Sequence, residues 1–212
     1  MITIYLIRHG ETAWNKEGRY QGITDVALNE TGKAQAKACG QAMKEVPIDK
    51  IISSDLCRAR YTAEAVRGDR DLEIQIDPRL RELNFGDWET KTFDQIESTW
   101  PGLIDQIYRR PDPVKVPHGE SFQELQDRAW AAVKDVIDEC EDGQTLLVVA
   151  HGGTLRTIIC KLLHLPISYC WNFSQGNTCI NRIFYNGMDE NDHNILNLLN
   201  DTKHVDELNN EM

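Results

Sequence analysis

Two apolar runs of the sequence each lead into a histidine. Ile4–Ile7 is followed by Arg8 and His9, and Thr145–Ala150 is followed by His151. An apolar run of this length is typical of a buried strand, and in open α/β sheets ligands bind outside the carboxyl ends of the strands. If the two strands are central and parallel, both imidazoles emerge at one edge of the sheet. The sequence therefore predicts a single site built from distant parts of the chain.

The residue types around these histidines suit phosphoryl transfer. A neutral imidazole can attack phosphorus in line, and guanidinium groups match and stabilise the charged oxygens of a phosphoryl group. Arg8 adjoins His9, and Arg58 follows the next predicted strand, so it can reach the same edge. His151 and Gly152 are followed by a predicted helix, whose amino end offers unpaired N–H groups to an anion.

The leaving alkoxide of such a reaction needs a proton, which calls for a carboxylic acid. Glu82, within Leu80–Glu89, is the best candidate for that acid. A solvated loop carboxylate is the competing interpretation of Glu82, and the residue chemistry alone leaves both interpretations open.

The stretch Arg8–Asn15, which reads RHGETAWN, resembles the opening motif of the histidine phosphatase superfamily, the phosphoglycerate-mutase-like phosphatases. The similarity continues through Ser53–Ala59, Leu80–Glu82 and the histidine–glycine pair at His151, and it covers the chain from residue 2 to about residue 160. Thr90 departs from the pattern, because phosphatase members often have glycine there. That departure concerns only the shape of the local loop.

The resemblance implies a role for the matching residues. It implies that His9 is phosphorylated, that Glu82 donates a proton to the leaving group, and that His151 stabilises the transition state. Together with the helix end at Gly152, it implies a set of phosphate-binding residues made of Arg8, Asn15, Gln21, Gly22, Arg58 and Gly152.

The order of the predicted elements is that of an α/β protein, and we expect a three-layer αβα sandwich with a mostly parallel central sheet. Short apolar or alternating runs predict strands at Ile4–Ile7, Lys50–Ser53, Glu73–Ile76, Thr145–Ala150, Asn177–Tyr185 and Asn194–Leu199. Capping residues and helical periodicity predict two helices that begin near Asn29 and Ser54, and two more over Glu120–Cys140 and Leu155–Leu163.

Residues 1–200 are predicted to form one domain, with 84–118 as an insertion over the active site and 201–212 as a polar, mobile tail. The formal net charge of −11 argues against a general nucleic-acid or anionic-membrane surface. Six cysteines include no Cys-x-x-Cys pair and are expected to be free, buried thiols. Because no signal peptide or transmembrane helix is expected either, the sequence predicts a cytoplasmic protein.

We therefore expect a metal-independent phosphomonoesterase that works through phosphohistidine at His9. It should need no cofactor, and its partner should be a small-molecule phosphomonoester. Three alternatives remain open: a phosphoglycerate mutase, a metallophosphatase that uses His9 and His151 with acidic ligands, and a phospho-ligand binding module without turnover. The sequence does not indicate an oligomeric state.

Two features favour a phosphatase over a mutase. Phe85–Glu89, shortly after Glu82, looks like the phosphatase members, and the residues from 84 to 118 include few cations for clamping a second phosphate or carboxylate. Those cations are Lys91, Arg109, Arg110 and Lys115. Within the phosphatases, Glu82–Glu89 and His151–Arg156 look most like α-ribazole phosphatases, although broad-specificity members share much of both. The resemblance thus makes α-ribazole 5′-phosphate the preferred substrate.

Overall fold

A six-stranded sheet forms the centre of the computed structural model, which describes residues 1–112, 114–189 and 191–211. The strands are β1 (Ile2–Arg8), β2 (Lys50–Ser53), β3 (Ile74–Ile76), β4 (Thr145–Ala150), β5 (Ile180–Tyr185) and β6 (Ile195–Asp201). Their order across the sheet is β3-β2-β4-β1-β5-β6. β5 pairs antiparallel with β1 and β6, whereas the other neighbours pair in parallel. The predicted mostly parallel sheet is confirmed.

The helices of the described ranges are α1 (Ala13–Lys16), α2 (Glu30–Ala42), α3 (Cys57–Arg67), α4 (Phe93–Thr99), α5 (Leu103–Arg109), α6 (Phe122–Asp138), α7 (Gly152–Leu162) and α8 (Lys203–Glu211). Short 3₁₀ turns lie at Pro78–Leu80, Gly86–Trp88 and Ile167–Asn172. Within the described ranges, no helix has both the length and the apolar character needed to cross a membrane.

Helices pack on both faces of the sheet because the side chains of a strand alternate between the faces. Ile4 and Leu6 of β1 are buried in a cluster with residues of α6 and α7. Tyr5 and Ile7 are buried in a second cluster with residues of α2 and α3. This arrangement confirms the predicted three-layer αβα sandwich.

The parallel pairing of β1 with β4 brings the two predicted histidines together. Arg8 pairs with Ala150, so the next residues, His9 and His151, leave the sheet side by side. The His9 N–H donates to the Ala150 carbonyl at 3.1 Å and extends the pairing beyond the strand. The centroids of the two imidazole rings are 5.1 Å apart.

The segment between β3 and α6 has an apolar cluster of its own. Trp88, Ile96 and Ile107 are buried in it, together with Phe122 at the start of α6. The insertion predicted for 84–118, of which residue 113 lies outside the described ranges, therefore packs around a core distinct from the two that flank the sheet.

Two helices begin at other residues than the sequence predicts. α7 begins at Gly152 instead of Leu155, directly after the histidine that ends β4. α3 begins at Cys57 with Leu56 as its N-cap, instead of being capped by Ser54. The Ser54 hydroxyl bonds to a histidine ring instead, as described below.

The C-terminal segment, for which the sequence predicts a polar, mobile tail, contains a helix. Lys203–Glu211 forms α8, which contacts α2, and His204 is buried in it. The His204 imidazole lies 3.1 Å from the Thr178 hydroxyl. His204 and Leu208 are four residues apart and therefore lie on one side of this helix.

The loop at Thr90 keeps a backbone shape that favours glycine. Thr90 has a φ of 74°, which is strained for a β-branched residue. Its N–H donates to the Tyr20 carbonyl at 2.9 Å, and its carbonyl accepts from Arg19 Nη1 at 2.8 Å. These bonds hold the loop in the conformation that glycine would adopt without strain.

Candidate active site

His9 is buried at the end of β1, with 3% of its surface exposed. Its Nδ1 lies 2.7 Å from the Gly10 carbonyl oxygen, which can only accept, so Nδ1 carries the proton and Nε2 holds the free lone pair. Burial lowers the pKa of His9 well below its ordinary value of 6.5, and the Arg58 and Arg8 cations lower it further. His9 is therefore a neutral imidazole with a fixed nucleophilic nitrogen.

Gly10, the next residue, is required by the packing of α2. A Cβ at this position would collide with the Gly32 carbonyl oxygen in the first turn of that helix. The Gly10 N–H also donates to the Thr62 hydroxyl on α3 at 3.2 Å. The strand end that carries His9 is thus held against both helices of one layer.

His151 lies against His9 and is oriented by Ser54. Its Nε2 is 2.9 Å from Ser54 Oγ, which also accepts from the Leu56 N–H at 3.3 Å. The Ser54 hydroxyl can therefore donate to Nε2, and in that arrangement the His151 proton lies on Nδ1. That Nδ1 is buried and has no partner among the described residues. Burial, with the Arg58 cation and His9 next in importance, lowers the pKa of His151 well below 6.5.

Two arginines approach the histidines, the buried Arg58 and the partly buried Arg8. Arg58 is 1% exposed, and its Nη1 and Nη2 donate to the carbonyl oxygens of Thr24 and Gly22, both at 2.8 Å. Arg8 Nη1 donates to the Gln175 carbonyl at 2.6 Å. The Nε of each arginine is buried without a partner among the described residues. Burial is the main reason why the pKa of both guanidinium groups is lowered.

None of the ion pairs in the described ranges involves Arg8 or Arg58. A buried cation without a paired anion is costly, because it has lost its water and gained no opposite charge. Two such cations beside two neutral imidazoles make a site that is completed by an anionic ligand.

Asn15 and Gln21 have their side-chain oxygens occupied by protein donors. Asn15 Oδ1 accepts from the Thr12 N–H at 3.1 Å and from Asn177 Nδ2 at 3.3 Å. Gln21 Oε1 accepts from the Thr12 hydroxyl at 2.9 Å. Thr12 is also the N-cap of α1. These bonds leave the NH₂ group of each amide free to donate a hydrogen bond. An anion accepts hydrogen bonds, so these donors suit an anionic ligand.

Gly22 holds Arg58 through its carbonyl, whereas the resemblance implies a direct phosphate ligand. Its φ is 56°, and a Cβ there would overlap the Glu89 carboxylate. Glu89 accepts from the Ile23 and Thr24 N–H groups at 2.9 and 3.0 Å. The glycine therefore permits a tight loop that presents two carbonyl oxygens to one guanidinium group.

Glu82 caps the amino end of α7. Its Oε2 accepts from the Gly153 N–H at 3.0 Å, and its Oε1 accepts from the N–H groups of Thr154 at 3.1 Å and Leu83 at 3.0 Å. The sequence predicts that this helix end offers its N–H groups to the phosphate, but two of them bind the Glu82 carboxylate instead. Sequence spacing could not show this, because the carboxylate comes from a different loop.

Arg156, on α7, lies beside this helix end and is absent from the predicted set of site residues. A Cβ at Gly152 would lie 3.5 Å from Arg8 Nε and 3.2 Å from Arg156 Nη1, so the glycine allows both cations to approach. Arg156 Nε donates to the Phe173 carbonyl at 2.8 Å, and its guanidinium carbon lies 5.7 Å from the centroid of the Trp171 ring. The spacing of four residues after Gly152 could have indicated Arg156.

Two adjoining cavities share Tyr20, Glu82 and Phe85. The polar cavity, of about 200 Å³, is also lined by Arg8, His9, Asn15, Gln21, Gly22 and Arg58. The aromatic cavity, of about 150 Å³, is also lined by Trp88, Tyr108, Phe122, Gly153, Arg156 and Trp171. His151 and Gly152 line neither cavity, but the His151 ring lies 5.1 Å from that of His9, and Gly152 lies next to Arg8. The structure thus brings the predicted catalytic and phosphate-binding residues to one place. It also has the aromatic cavity next to Glu82, which the sequence does not predict.

A metallophosphatase would hold its metal ion with these histidines and acidic side chains. No group of three or more His, Cys, Asp or Glu side chains in the described part of the chain could hold a metal ion. The positive charge around His9 comes from Arg8 and Arg58.

Comparisons with known proteins agree on the family. A family model described as "Histidine phosphatase superfamily (branch 1)" matches residues 4–202. The protein named "Probable phosphoglycerate mutase GpmB" from Escherichia coli O1:K1 / APEC is 38% identical over 188 residues, which cover 87% of this chain and 86% of that protein.

Solved structures share both the fold and much of the sequence. Bacillus stearothermophilus YhfR has a TM-score of 0.87 and 35% identity, and the match covers 97% of this chain and 100% of that one. The α-ribazole phosphatase from Shigella flexneri has a TM-score of 0.83 and 29% identity, and the match covers 94% of this chain and 96% of that one. Phosphoserine phosphatase from Entamoeba histolytica, in complex with 3-phosphoglyceric acid, has a TM-score of 0.81 and 29% identity, and the match covers 97% of this chain and 100% of that one. The names of these relatives divide between phosphatases and a mutase.

Proposed function

The chain belongs to the histidine phosphatase superfamily, branch 1, and from this premise we propose that it is a metal-independent phosphomonoesterase with a phosphohistidine intermediate at His9. One observation carries the proposal. Three buried donors, Arg8 Nε, Arg58 Nε and His151 Nδ1, lack a partner among the described residues. Buried donors without partners are rare in proteins, and a phosphoryl group would satisfy all three.

In the first half of the reaction, His9 Nε2 attacks phosphorus, and the bond between phosphorus and the ester oxygen breaks. Arg8, Arg58 and His151 stabilise the charge on the phosphoryl oxygens, and Glu82 donates a proton to the departing oxygen. The low pKa of His9 keeps its attacking nitrogen unprotonated at neutral pH.

In the second half, a water molecule attacks the phosphohistidine. Glu82, now a carboxylate, accepts a proton from that water, and the bond between phosphorus and Nε2 breaks. Inorganic phosphate leaves, and both His9 and Glu82 return to their starting protonation states. The position of Glu82 between the two cavities suits both proton transfers.

Family membership supports a phosphatase or a mutase, and we propose the phosphatase. The space next to Glu82 is walled mainly by aromatic rings, which favour a leaving group with a flat or apolar body. A mutase must instead hold a small, highly charged intermediate and keep water away from the phosphohistidine. Arg156 and Glu82 supply the formal charges in the described lining of that cavity.

The substrate we propose is α-ribazole 5′-phosphate, whose fused ring would occupy the aromatic cavity. The relatives include an α-ribazole phosphatase from Shigella flexneri. A broad-specificity phosphatase is the alternative, because aromatic walls accept many apolar groups. A cytoplasmic setting is part of the proposal, since the six cysteines are free thiols.

Two assays test the proposal. Incubation with 3-phosphoglycerate and a 2,3-bisphosphoglycerate primer should release phosphate without rapid formation of 2-phosphoglycerate, and rapid formation would establish the mutase instead. Comparison of kcat/KM for α-ribazole 5′-phosphate with a panel of sugar and nucleoside phosphates should show a clear preference for the former, and equal values would favour broad specificity. Both assays should be unaffected by exhaustive treatment with EDTA, whereas activity restored by zinc or magnesium would indicate a metallophosphatase.

A further inference from the structure

We propose that Arg128 is a positioning residue, which fixes the backbone around Glu82 so that its carboxyl group meets the leaving oxygen. The inference rests on the phosphomonoesterase function proposed above, in which Glu82 is the proton donor. Arg128 lies on α6, outside both cavities. It acts, in this proposal, on the loop that carries the acid and not on the substrate.

Arg128 uses all three of its nitrogens on that loop and on one carboxylate. Nη1 donates to the carbonyl oxygens of Arg79 and Arg81, both at 2.8 Å, and Nη2 donates to the Glu82 carbonyl at 2.8 Å. Nε and Nη2 donate to the two oxygens of Glu120, at 2.8 and 2.7 Å. A guanidinium group has five N–H donors, so the hydrogen-bonding capacity of Arg128 is fully used.

Glu120 completes the arrangement on the other side of Glu82. Its Oε2 accepts from the Asn84 N–H at 2.8 Å, and its own N–H donates to the Asn84 carbonyl at 3.0 Å. Burial alone would raise the pKa of Glu120, but Arg128 and the Asn84 N–H hold it below its ordinary value. Glu120 therefore remains a carboxylate that orients the guanidinium group and fixes the far end of the loop.

The loop has no regular secondary structure that could hold it. It connects the 3₁₀ turns at Pro78–Leu80 and Gly86–Trp88, and residues 81–85 belong to neither a helix nor a strand. Backbone groups on both sides of Glu82 would otherwise depend on water for their hydrogen bonds. Arg128 and Glu120 replace that water with a rigid, charged pair.

Proton transfer is sensitive to the position of the acid. A catalytic acid must lie within hydrogen-bond reach of the atom it protonates, and a displacement of about 1 Å can cost about 100-fold in rate. The Glu82 carboxyl group is held by the amino end of α7, and its backbone is held by Arg128. Loss of the second anchor should therefore impair protonation of the leaving group while the phosphate-binding residues stay in place.

The experiment compares phenyl phosphate with p-nitrophenyl phosphate, because the nitrophenolate leaves with little need of a proton. Arg128→Lys keeps the charge but cannot form the fork of hydrogen bonds. We compare kcat/KM, which reports only the steps up to release of the phenol and excludes hydrolysis of the phosphohistidine. We expect kcat/KM for phenyl phosphate to fall about 30-fold and kcat/KM for p-nitrophenyl phosphate to fall less than about threefold. Glu82→Gln should show the same selectivity with a larger loss.

Arg79→Lys is the matched control. Arg79 lies next to the same loop, and its side chain pairs with Asp77 and with Asp135 on α6, but its guanidinium group does not bond to the Glu82 backbone. The ratio of the two kcat/KM values should stay at its wild-type level in this variant. Equal losses for both substrates in Arg128→Lys, or a ratio no different from that of Arg79→Lys, would overturn the proposal.

Glu120→Gln provides a second test if Arg128→Lys does not fold. It keeps the size of the side chain and removes the charge that orients Arg128, so the same selectivity should appear at about three- to tenfold. An unchanged ratio in a folded Glu120→Gln protein would contradict the proposal. If Glu82→Gln itself shows no selectivity, the proposed acid is wrong, which is a different failure from that of Arg128.

Discussion

The polar cavity and the aromatic cavity share Glu82 but are built in different ways. The polar cavity is lined by residues such as His9, at the end of β1, and Arg58, in the first turn of α3, whose side chains are held by hydrogen bonds to the backbone. The aromatic cavity is lined by rings from separate elements, such as Tyr108 on α5 and Trp171 in a 3₁₀ turn, which contact one another at 4.2 Å between centroids. In the proposed function, the residues that transfer the phosphoryl group are therefore held by the sheet and the elements next to it. The residues that select the substrate belong to the insertion and to the 3₁₀ turn.

The two cavities also differ in energetic terms. Buried cations and neutral imidazoles make the empty polar cavity costly, so an anion that enters gains several charge-assisted hydrogen bonds at once. Aromatic contacts in the other cavity contribute about 0.5–1.5 kcal/mol each beyond the burial of area. Substitutions in the polar cavity should therefore affect all substrates strongly, whereas substitutions in the aromatic cavity should affect particular substrates weakly.

The largest effect is expected for the nucleophile. His9→Ala should lower kcat by about 10⁴-fold or more for every phosphomonoester, because binding cannot replace the nitrogen that attacks phosphorus. His118→Ala is the control, since that imidazole is 85% exposed and pairs with Asp87. Steady-state release of phosphate measures both. Retention of more than a few per cent of activity in His9→Ala would show that His9 is not the nucleophile.

The next largest effect is expected for Arg58. Arg58→Lys should lower kcat/KM by about 100-fold, equally for phenyl phosphate and ethyl phosphate, because an ammonium group lacks the planar fork of donors that holds the carbonyl oxygens on one side and a phosphoryl group on the other. Arg60→Lys, two residues along the same helix and exposed, should behave as wild type. A loss confined to one substrate would mean that Arg58 helps to select the substrate. The proposed difference between the two cavities would then be wrong.

A smaller and selective effect is expected in the aromatic cavity. Trp171→Leu should lower kcat/KM for phenyl phosphate about tenfold and leave ethyl phosphate within about twofold, because the phenyl ring loses its stacking partner. Trp14→Leu serves as the control, since Trp14 lines neither cavity. Equal effects of Trp171→Leu on the two esters would show that the ring supports the polar cavity and does not bind the leaving group.

The smallest effect concerns stability and pH. The pKa of His9 and of His151 is lowered in the folded protein, whereas the unfolded chain protonates histidine near 6.5, so the unfolded state binds more protons below that pH. The free energy of unfolding should therefore fall as the pH decreases from about 6.5, by up to about 1.4 kcal/mol per pH unit for each histidine.

Urea unfolding at pH 7.5, 6.5 and 5.5 measures this dependence. His9→Asn should flatten the decline, because it removes one of the two buried imidazoles. An unchanged slope in His9→Asn would show that His9 is not held neutral by its surroundings.

The sequence could predict the polar cavity because its residues follow strands or belong to a recognisable motif. His9 and His151 each end a central strand, and parallel pairing decides that they meet. The sheet and its layers were predictable for the same reason, since buried strands have continuous apolar runs.

The sequence could not predict contacts that join loops far apart in the chain. The capping of α7 by Glu82 and the bonds from Arg128 to the same loop depend on tertiary packing, and no spacing rule connects these residues. The aromatic cavity was missed because its rings come from elements whose mutual position is set by the insertion. α8 was not predicted because its sequence is mostly polar.

Transfer of the phosphoryl group to His9 is the central claim, and trapping the phosphoenzyme tests it most directly. Wild-type protein and Glu82→Gln are mixed with ³²P-labelled p-nitrophenyl phosphate, quenched without acid after milliseconds to seconds, and digested for peptide mapping. Glu82→Gln should accumulate more label than wild type, because p-nitrophenolate leaves without the acid while the attack of water still needs the base. The label should lie on His9. Label on another residue, or turnover by both proteins without any labelled peptide, would contradict the account.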